Sequence, residues 1–498
     1  MAATVTFVIN DPLASGGPPI RSVSAGNYPP GDIAKFDIKP SATPGKYDPL
    51  TPEFDYWQTK LALIGGLRTW KTLTGSYLDR WWGNQSALPV MTDAGDDLNA
   101  FYDRSSLQFF SHGFGGVTVH SAESVDVVVH EQGHALLDAI RSDFFDVPFI
   151  EVGALHEAFG DCNALLNALE DRATRDAVIA ASPDLSGFQF VESLAEQLGD
   201  AIRREYGPDS VETGALRHAL NTFRWVDPTG LPSWAPADQL AGEVHSFARV
   251  FVGAFYDTIR NIYTSGSSGQ ANLRNASRTA GKLLLAAVRT VPAAPDTFSG
   301  VGQRMVQADV TSNGGVNAKA VTAAFAAHGM TLAAPVTSLA VPLGKAKRGP
   351  GGGAGELRER LGVPQGTKIT VNEVDSDNHG TIGHVTAYRA VPLDSEGLQG
   401  VNIMVPGVAR VQMTRRGGAI AGVLGEVSPA TGDAERQARA FARTLIASGD
   451  IKVSARATRA RRIAPPPAIA PPKRTASHEI RSVGGQPTIV RVGFSLRR

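Results

Sequence analysis

The sequence predicts an α+β fold, with a β-rich N-terminal lobe, a helical lobe after it and a small further α+β domain towards the C-terminal side. Three observations predict it. Short apolar runs broken by turn residues fill positions 87–119, apolar periodicity of three to four residues dominates 124–330, and a Gly/Pro-rich stretch at 333–356 separates that body from strand-like segments. At 498 residues, 42% hydrophobic and 19% charged, the chain can bury a large core and divide into more than one domain.

Residues 1–44 read as a loop-rich N-terminal extension, because 13–53 is dense in Gly, Pro and Ser with only short strands between. Positions 54–74 predict an amphipathic helix whose core face carries Tyr56, Trp57, Leu61, Ile64, Leu67 and Trp70. After the strand-and-turn region, Ser124 offers an N-cap, an acidic first turn follows, and the apolar run to Val129 continues through 135–140 as a second helix. A third helix follows from Leu155, Ala158, Phe159, Cys162, Leu165, Leu166 and Leu169. An amphipathic helix is expected at 244–263.

Beyond the linker, strands are expected at 368–374, 383–391, 401–405, 408–413 and 419–427, and a helix at 433–448, giving a small α+β accessory domain at 357–452. Residues 453–498 read as a basic, Pro-rich tail, with Pro465-Pro466-Pro467 inside it and a strand pair from His478 onwards.

The second helix carries His130-Glu131-Gln132-Gly133-His134. Residues four apart on a helix lie one above the other, so His130 and His134 can turn two imidazole nitrogens to one metal ion, with Glu131 beside it as a base. Zinc with three protein ligands keeps a position for water and lowers that water's pKa towards ~7. With 11 His in 498 residues, this pattern has a chance occurrence of roughly one in a hundred. Its context favours the metal over an ordinary polar helix face. The third helix places Glu157 and Asp161 one turn apart; next to the histidines, Glu157 is the candidate third ligand and Asp161 an acceptor that fixes the tautomer of a ligand histidine.

Residues 127–138, including Asp138 four positions after the second histidine, resemble the zinc helix of the thermolysin-like metallopeptidases. Gly153-Ala154-Leu155-His156-Glu157-Ala158-Phe159-Gly160-Asp161 is similar to that family's third-ligand segment. Asn99-Ala100-Phe101-Tyr102 resembles its substrate-holding edge strand, Gly242-Glu243-Val244-His245 its segment bearing a transition-state histidine, and 319–330 its last helix. The resemblance covers 45–332 and implies a two-lobe catalytic domain with the metal helix between the lobes. It implies zinc on His130, His134 and Glu157, Glu131 as general base, His245 stabilising the tetrahedral intermediate, and Asn99 with the Ala100 backbone holding the substrate. Arg224 matches the family's carbonyl-binding arginine after a one-residue shift.

Departures accompany these matches. Leu240 stands where the carboxylate orienting the histidine is expected, leaving Asp238 or Glu243 for that role. Pro148 and Phe149 fill the region of the family's transition-state tyrosine, and His156 replaces the Asn before the third ligand. Asp126 matches one position of the family's double calcium site, but Ala168 stands at its partner, so calcium is not expected there. Leu137 and Ile140 exclude a metzincin, which needs Gly and His at those places. The chain lacks the Gly-x-Met-Glu-Asn segment of related aminopeptidases, which favours an endopeptidase.

The expectation is therefore a zinc-dependent metalloendopeptidase acting on protein or peptide substrates, with a catalytically inactive zinc-stabilised binding module as the alternative. Equal numbers of basic and acidic residues, 48 each, give no field that would attract nucleic acid. Gly349-Pro350-Gly351-Gly352-Gly353 lacks the Gly-Lys-Ser/Thr of a phosphate loop. Cys162 alone cannot form an intramolecular disulfide. No signal peptide or membrane span is read, so a cytoplasmic or non-classically exported protein is expected. Because no N-terminal propeptide precedes the motif, restraint of the cleft by the C-terminal domain is expected instead.

Overall fold

A computed structural model describes residues 3–14, 20–333, 340–342, 352–377, 380–413, 420–452 and 476–496. The fold is mixed α/β, with eleven α-helices among the described residues. They are α1 (Pro52–Thr74), α2 (Val125–Ile140), α3 (Ile150–Ala168), α4 (Arg172–Ala181), α5 (Glu196–Tyr206), α6 (Val244–Thr264), α7 (Gln270–Thr290), α8 (Thr297–Asn313), α9 (Ala318–Ala327), α10 (Gly352–Arg360) and α11 (Asp433–Ser448). None is long and apolar enough to cross a membrane.

The strands of the N-terminal half are β1 (Thr4–Phe7), β2 (Arg21–Ser24), β3 (Lys35–Lys39), β4 (Ala87–Met91), β5 (Ala100–Tyr102), β6 (Leu107–Phe109), β7 (Ser111–Phe114) and β8 (Val117–His120). Two short strands, β9 (Ser193–Leu194) and β10 (Arg217–His218), pair within the helical region. The C-terminal half adds β11 (Ala340–Pro342), β12 (Thr370–Asp377), β13 (Gly380–Pro392), β14 (Asn402–Met413), β15 (Ile420–Ser428), β16 (Ile451–Lys452), β17 (His478–Val483), β18 (Gln486–Arg491) and β19 (Phe494–Ser495).

A five-stranded sheet runs β19-β5-β6-β4-β3. Strands β3, β4 and β6 are parallel, whereas β5 turns back on β6 and β19 lies antiparallel on β5. Within the segment read as an N-terminal extension, Lys35–Lys39 pairs along β4, because Phe36 and Ile38 alternate into the core while Asp37 and Lys39 face out.

Helix α2 packs against α1, α3 and β5, and α3 packs in turn on α6 and α8. Small residues set how closely they approach. A Cβ built on Gly66 of α1 would stand 1.6 Å from the Gln132 side chain, and one on Gly133 of α2 would stand 2.8 Å from the Gly160 Cα of α3. At Gly133, where the neighbour is backbone, only hydrogen fits, and at Gly66 a methyl would displace the Gln132 amide. Ser124 caps α2 as its sequence predicts, its hydroxyl accepting from the Val127 N–H.

The second large sheet has eight strands, β11-β15-β14-β18-β17-β16 with β13 and β12 attached through β14. The two strands expected at 401–405 and 408–413 are one, β14, which runs straight through Pro406-Gly407. Pro406 sits opposite Tyr388, and Gly407 leaves room for the Leu361 carbonyl, 2.1 Å from where a Cβ would be. The hairpin β17–β18 belongs to this sheet, since β18 pairs with β14 and β17 with β16. Helix α10 begins inside the stretch expected as linker. The remainder of that linker at 334–339 and 343–351, and the basic Pro-rich segment at 453–475, lie outside the described residues.

Candidate metal centre

Helix α2 presents His130 and His134 on one face, and α3 brings Glu157 opposite them. The Nε2 atoms of the two histidines are 3.1 Å apart, and Glu157 Oε2 lies 3.3 Å from the first and 3.7 Å from the second. Ligands of a tetrahedral ion at zinc–nitrogen and zinc–oxygen distances stand about 3.3 Å from one another. The three side chains are at most 2% exposed.

Outer hydrogen bonds explain why the inner atoms are acceptors. His130 Nδ1 bonds Asp161 Oδ1 at 2.8 Å, so its proton sits on Nδ1 and its Nε2 lone pair faces the cluster. Asp161 is in turn held by Arg217, whose Nε and Nη2 donate to its two oxygens at 2.9 Å and 2.8 Å. Burial opposes charge on Asp161, yet Arg217 and His130 outweigh it and bring its pKa down to about 2. Burial likewise works against charge on His130; the Asp161 and Glu157 carboxylates prevail and raise it to about 9.

His134 has a different partner. Its Nδ1 lies 2.9 Å from His156 Nδ1, and burial pushes the pKa of His134 to about 3 and that of His156 well below the usual range. With the proton of this bond on His134 Nδ1, the His134 Nε2 lone pair turns to Glu157. Burial favours a protonated Glu157, but His245, His134 and His130 hold it well below the ordinary carboxylate range.

Two imidazole nitrogens and an ionised carboxylate thus converge, the Glu157 oxygens meeting only the 3.2–3.7 Å approaches of the imidazoles. Both oxygens of Glu131 are also buried without a hydrogen-bond partner, and burial first of all raises its pKa to about 8. Leaving such groups unpaired is costly, and a divalent cation with a water beside Glu131 would answer all of them. The residues present fit a metal ion. Among the described residues, Asp55, His120 and Glu123 form one further group with ligand atoms close together. There His120 Nδ1 already bonds Asp55 Oδ2 at 2.7 Å and Glu123 accepts from the Leu50 N–H, so that group is largely self-satisfied.

His245, on the first turn of α6, joins the cluster with Nε2 3.2 Å from Glu157 Oε2. Glu243 takes the orienting role left open between it and Asp238: Oε1 bonds His245 Nδ1 at 2.5 Å while Oε2 caps α6 at the Ser246 N–H. Burial lowers the pKa of His245, but Glu157 and Glu243 more than offset it and raise it to about 10.

Not every expected residue reaches the site. Arg224 is exposed and donates to the Ala327 carbonyl; Arg217 on β10 is the buried guanidinium that reaches Asp161 and the cleft. Arg217 carried no local sequence signal, since its strand is only two residues long. Asp138 touches neither histidine ligand: it accepts from the Tyr102 hydroxyl at 2.8 Å and from Arg104 Nε and Nη2. His156 occupies the bonding position beside His134 instead. Asn99 and Ala100 lie at the start of β5, the Asn99 Oδ1 accepting from the Ala100 N–H. Asp126, the calcium-site match, accepts from Asn10 at 3.1 Å, with Ala168 offering no carboxylate.

Comparison with protein-family models and with curated proteins finds no match to this chain.

Proposed function

We propose that the chain is a zinc-dependent metalloendopeptidase with a thermolysin-like arrangement of its catalytic body, α2 lying between a β-rich lobe and a helical one. The reading rests above all on one observation: three ligand atoms spaced 3.1, 3.3 and 3.7 Å apart, with the unpaired Glu131 carboxylate on the helix that carries both histidines. A zinc ion held by His130, His134 and Glu157 would supply Lewis acidity to a water and to a substrate carbonyl.

The chain's own residues do the rest. Glu131, with a pKa near neutrality, takes a proton from the attacking water and returns it to the leaving amine. His245, kept charged by Glu243, donates from Nε2 to the carbonyl oxygen as it gains negative charge. Asn99 and the Ala100 main chain hold the substrate as an extended strand along β5, and Arg217 offers Nη1 to a carbonyl one residue further on.

Glu131→Gln tests the reading. Hydrolysis of a quenched casein-derived peptide should fall at least a thousandfold while zinc content, measured by atomic absorption, stays at one ion per chain. Near wild-type turnover in that variant would refute the mechanism. A second reading, a zinc-stabilised binding module without turnover, draws on the burial of every side chain in the centre. Zinc retention with no chelator-sensitive hydrolysis in the wild type would favour it.

A further inference from the structure

The edge of the five-stranded sheet is filled by the chain itself. Strand β19 runs antiparallel to β5, with Phe494 opposite Tyr102 and Ser495 opposite Phe101, and the Leu496 N–H donates to the Ala100 carbonyl at 3.0 Å. The Ser495 hydroxyl donates to Asn99 Oδ1 at 3.0 Å. The Ser495 carbonyl oxygen accepts from His245 Nε2, and the Leu496 carbonyl oxygen accepts from Arg217 Nη1 at 3.3 Å. The Phe494 ring stacks on His156 at 3.9 Å and on His134 at 4.7 Å, with the Arg491 guanidinium over its face.

The approach to this seat is built to fit. A Cβ on Gly493 would stand 2.4 Å from the Phe101 ring and 2.6 Å from the Tyr102 carbonyl, so only glycine lets the chain enter along β5. Leu496 is 1% exposed and Phe494 likewise, which makes this a packed strand rather than a loose end lying over a cleft. Each group that the peptidase reading gives to a substrate, namely Asn99, the Ala100 main chain, His245 and Arg217, is bonded to residues 495–496.

We propose that residues 493–496 are a built-in occupant of the substrate cleft, seated as a peptide substrate would be with the Ser495 carbonyl at His245, and that the chain is latent until this strand leaves. The proposal rests on the peptidase reading for its catalytic consequence, although the seating itself does not. It also names a feature of the substrate: an extended peptide with an aromatic side chain against His134 and His156. A tethered strand acts at an effective concentration in the millimolar range for a short flexible connection, above that of most dilute substrates. Removal, displacement by a tighter peptide, or movement of the sheet that carries β18 would open the site.

Two substitutions in the full chain test it without touching a metal ligand. Leu496→Pro deletes the amide that bonds Ala100, and Gly493→Val drives a branched side chain against Phe101. Both are compared with wild type at matched circular dichroism and zinc content, using a fluorescein-capped peptide of residues 490–496 in anisotropy titrations. The variants should bind the peptide at least tenfold more tightly than wild type does. Equal binding by all three proteins, or binding by none, overturns the occupant. A quenched-peptide assay run in parallel should show at least a tenfold gain in rate for the variants. Peptide capture without hydrolysis would sink the peptidase reading and leave the occupant standing; hydrolysis at one rate in all three with no difference in capture would do the reverse.

Discussion

Gly133 and Gly160 face each other where α2 crosses α3, and a Cβ on Gly160 would stand 2.6 Å from the His130 ring. The crossing puts Asp161, one residue on, within 2.8 Å of His130 Nδ1. Two absent side chains therefore set the geometry of the candidate metal centre as firmly as His130 and Glu157 do.

Gly160→Ala should raise local helix propensity by about 1 kcal/mol and still weaken the centre, since the new methyl must displace His130 from Asp161. Loss of such an outer bond typically lowers metal affinity 10–100-fold. Chelator competition against the wild type measures it, and an unchanged affinity would show that α3 can slide to accommodate the methyl.

Glu243→Gln removes one of the two carboxylates that hold His245 at about 10. The variant should lose ten- to a hundredfold in kcat with little change in KM, and the basic limb of its pH–rate profile should move to lower pH. A limb that stays in place would assign the orientation of His245 to some other group.

The two arginines in question separate by a stability measurement. Arg217→Ala strands Asp161 in a buried site and should cost roughly 3–5 kcal/mol in urea unfolding. Arg224→Ala removes an exposed side chain with one bond to a carbonyl and should stay within about 0.5 kcal/mol of wild type. Comparable losses in both would contradict this placement.

His218 bonds Glu192 Oε2 at 3.1 Å through Nδ1 and the Thr213 carbonyl through Nε2. Burial disfavours its charge, but Glu192 prevails and raises its pKa from 6.5 to about 9. A raised folded-state pKa contributes stability that is complete below about 6.5 and is lost as pH climbs through 9. The contribution is on the order of 3 kcal/mol. Urea midpoints at pH 6 and pH 10 should therefore converge for His218→Gln relative to wild type, and parallel profiles would refute the coupling.

Local signals were readable in the sequence because they depend on neighbours. The cap at Ser124, the face of 54–74 and the four-residue spacing of His130 and His134 each reside within a turn or two, and the structure places those elements within a few residues of expectation. Glu157 and Asp161 were equally legible, being one turn apart on α3. What escaped was pairing over distance. His156 as the partner of His134, Arg217 in place of Arg224, and β19 on β5 all come from chain segments that share no periodicity. Pro406-Gly407 misled in the opposite direction, since a break in local propensity was overridden by pairing on both sides of β14.

The bond between Ser495 and Asn99 spans 396 residues, whereas that between His130 and Asp161 spans 31. Contacts close in sequence form early in folding, and distant ones must first pay for closing a long loop. The histidine and carboxylate pocket of α2 and α3 can therefore assemble while β5 is still a bare edge. A metal ion bound by His130, His134 and Glu157 would have its entrance during that interval, loading before the strand seals the edge.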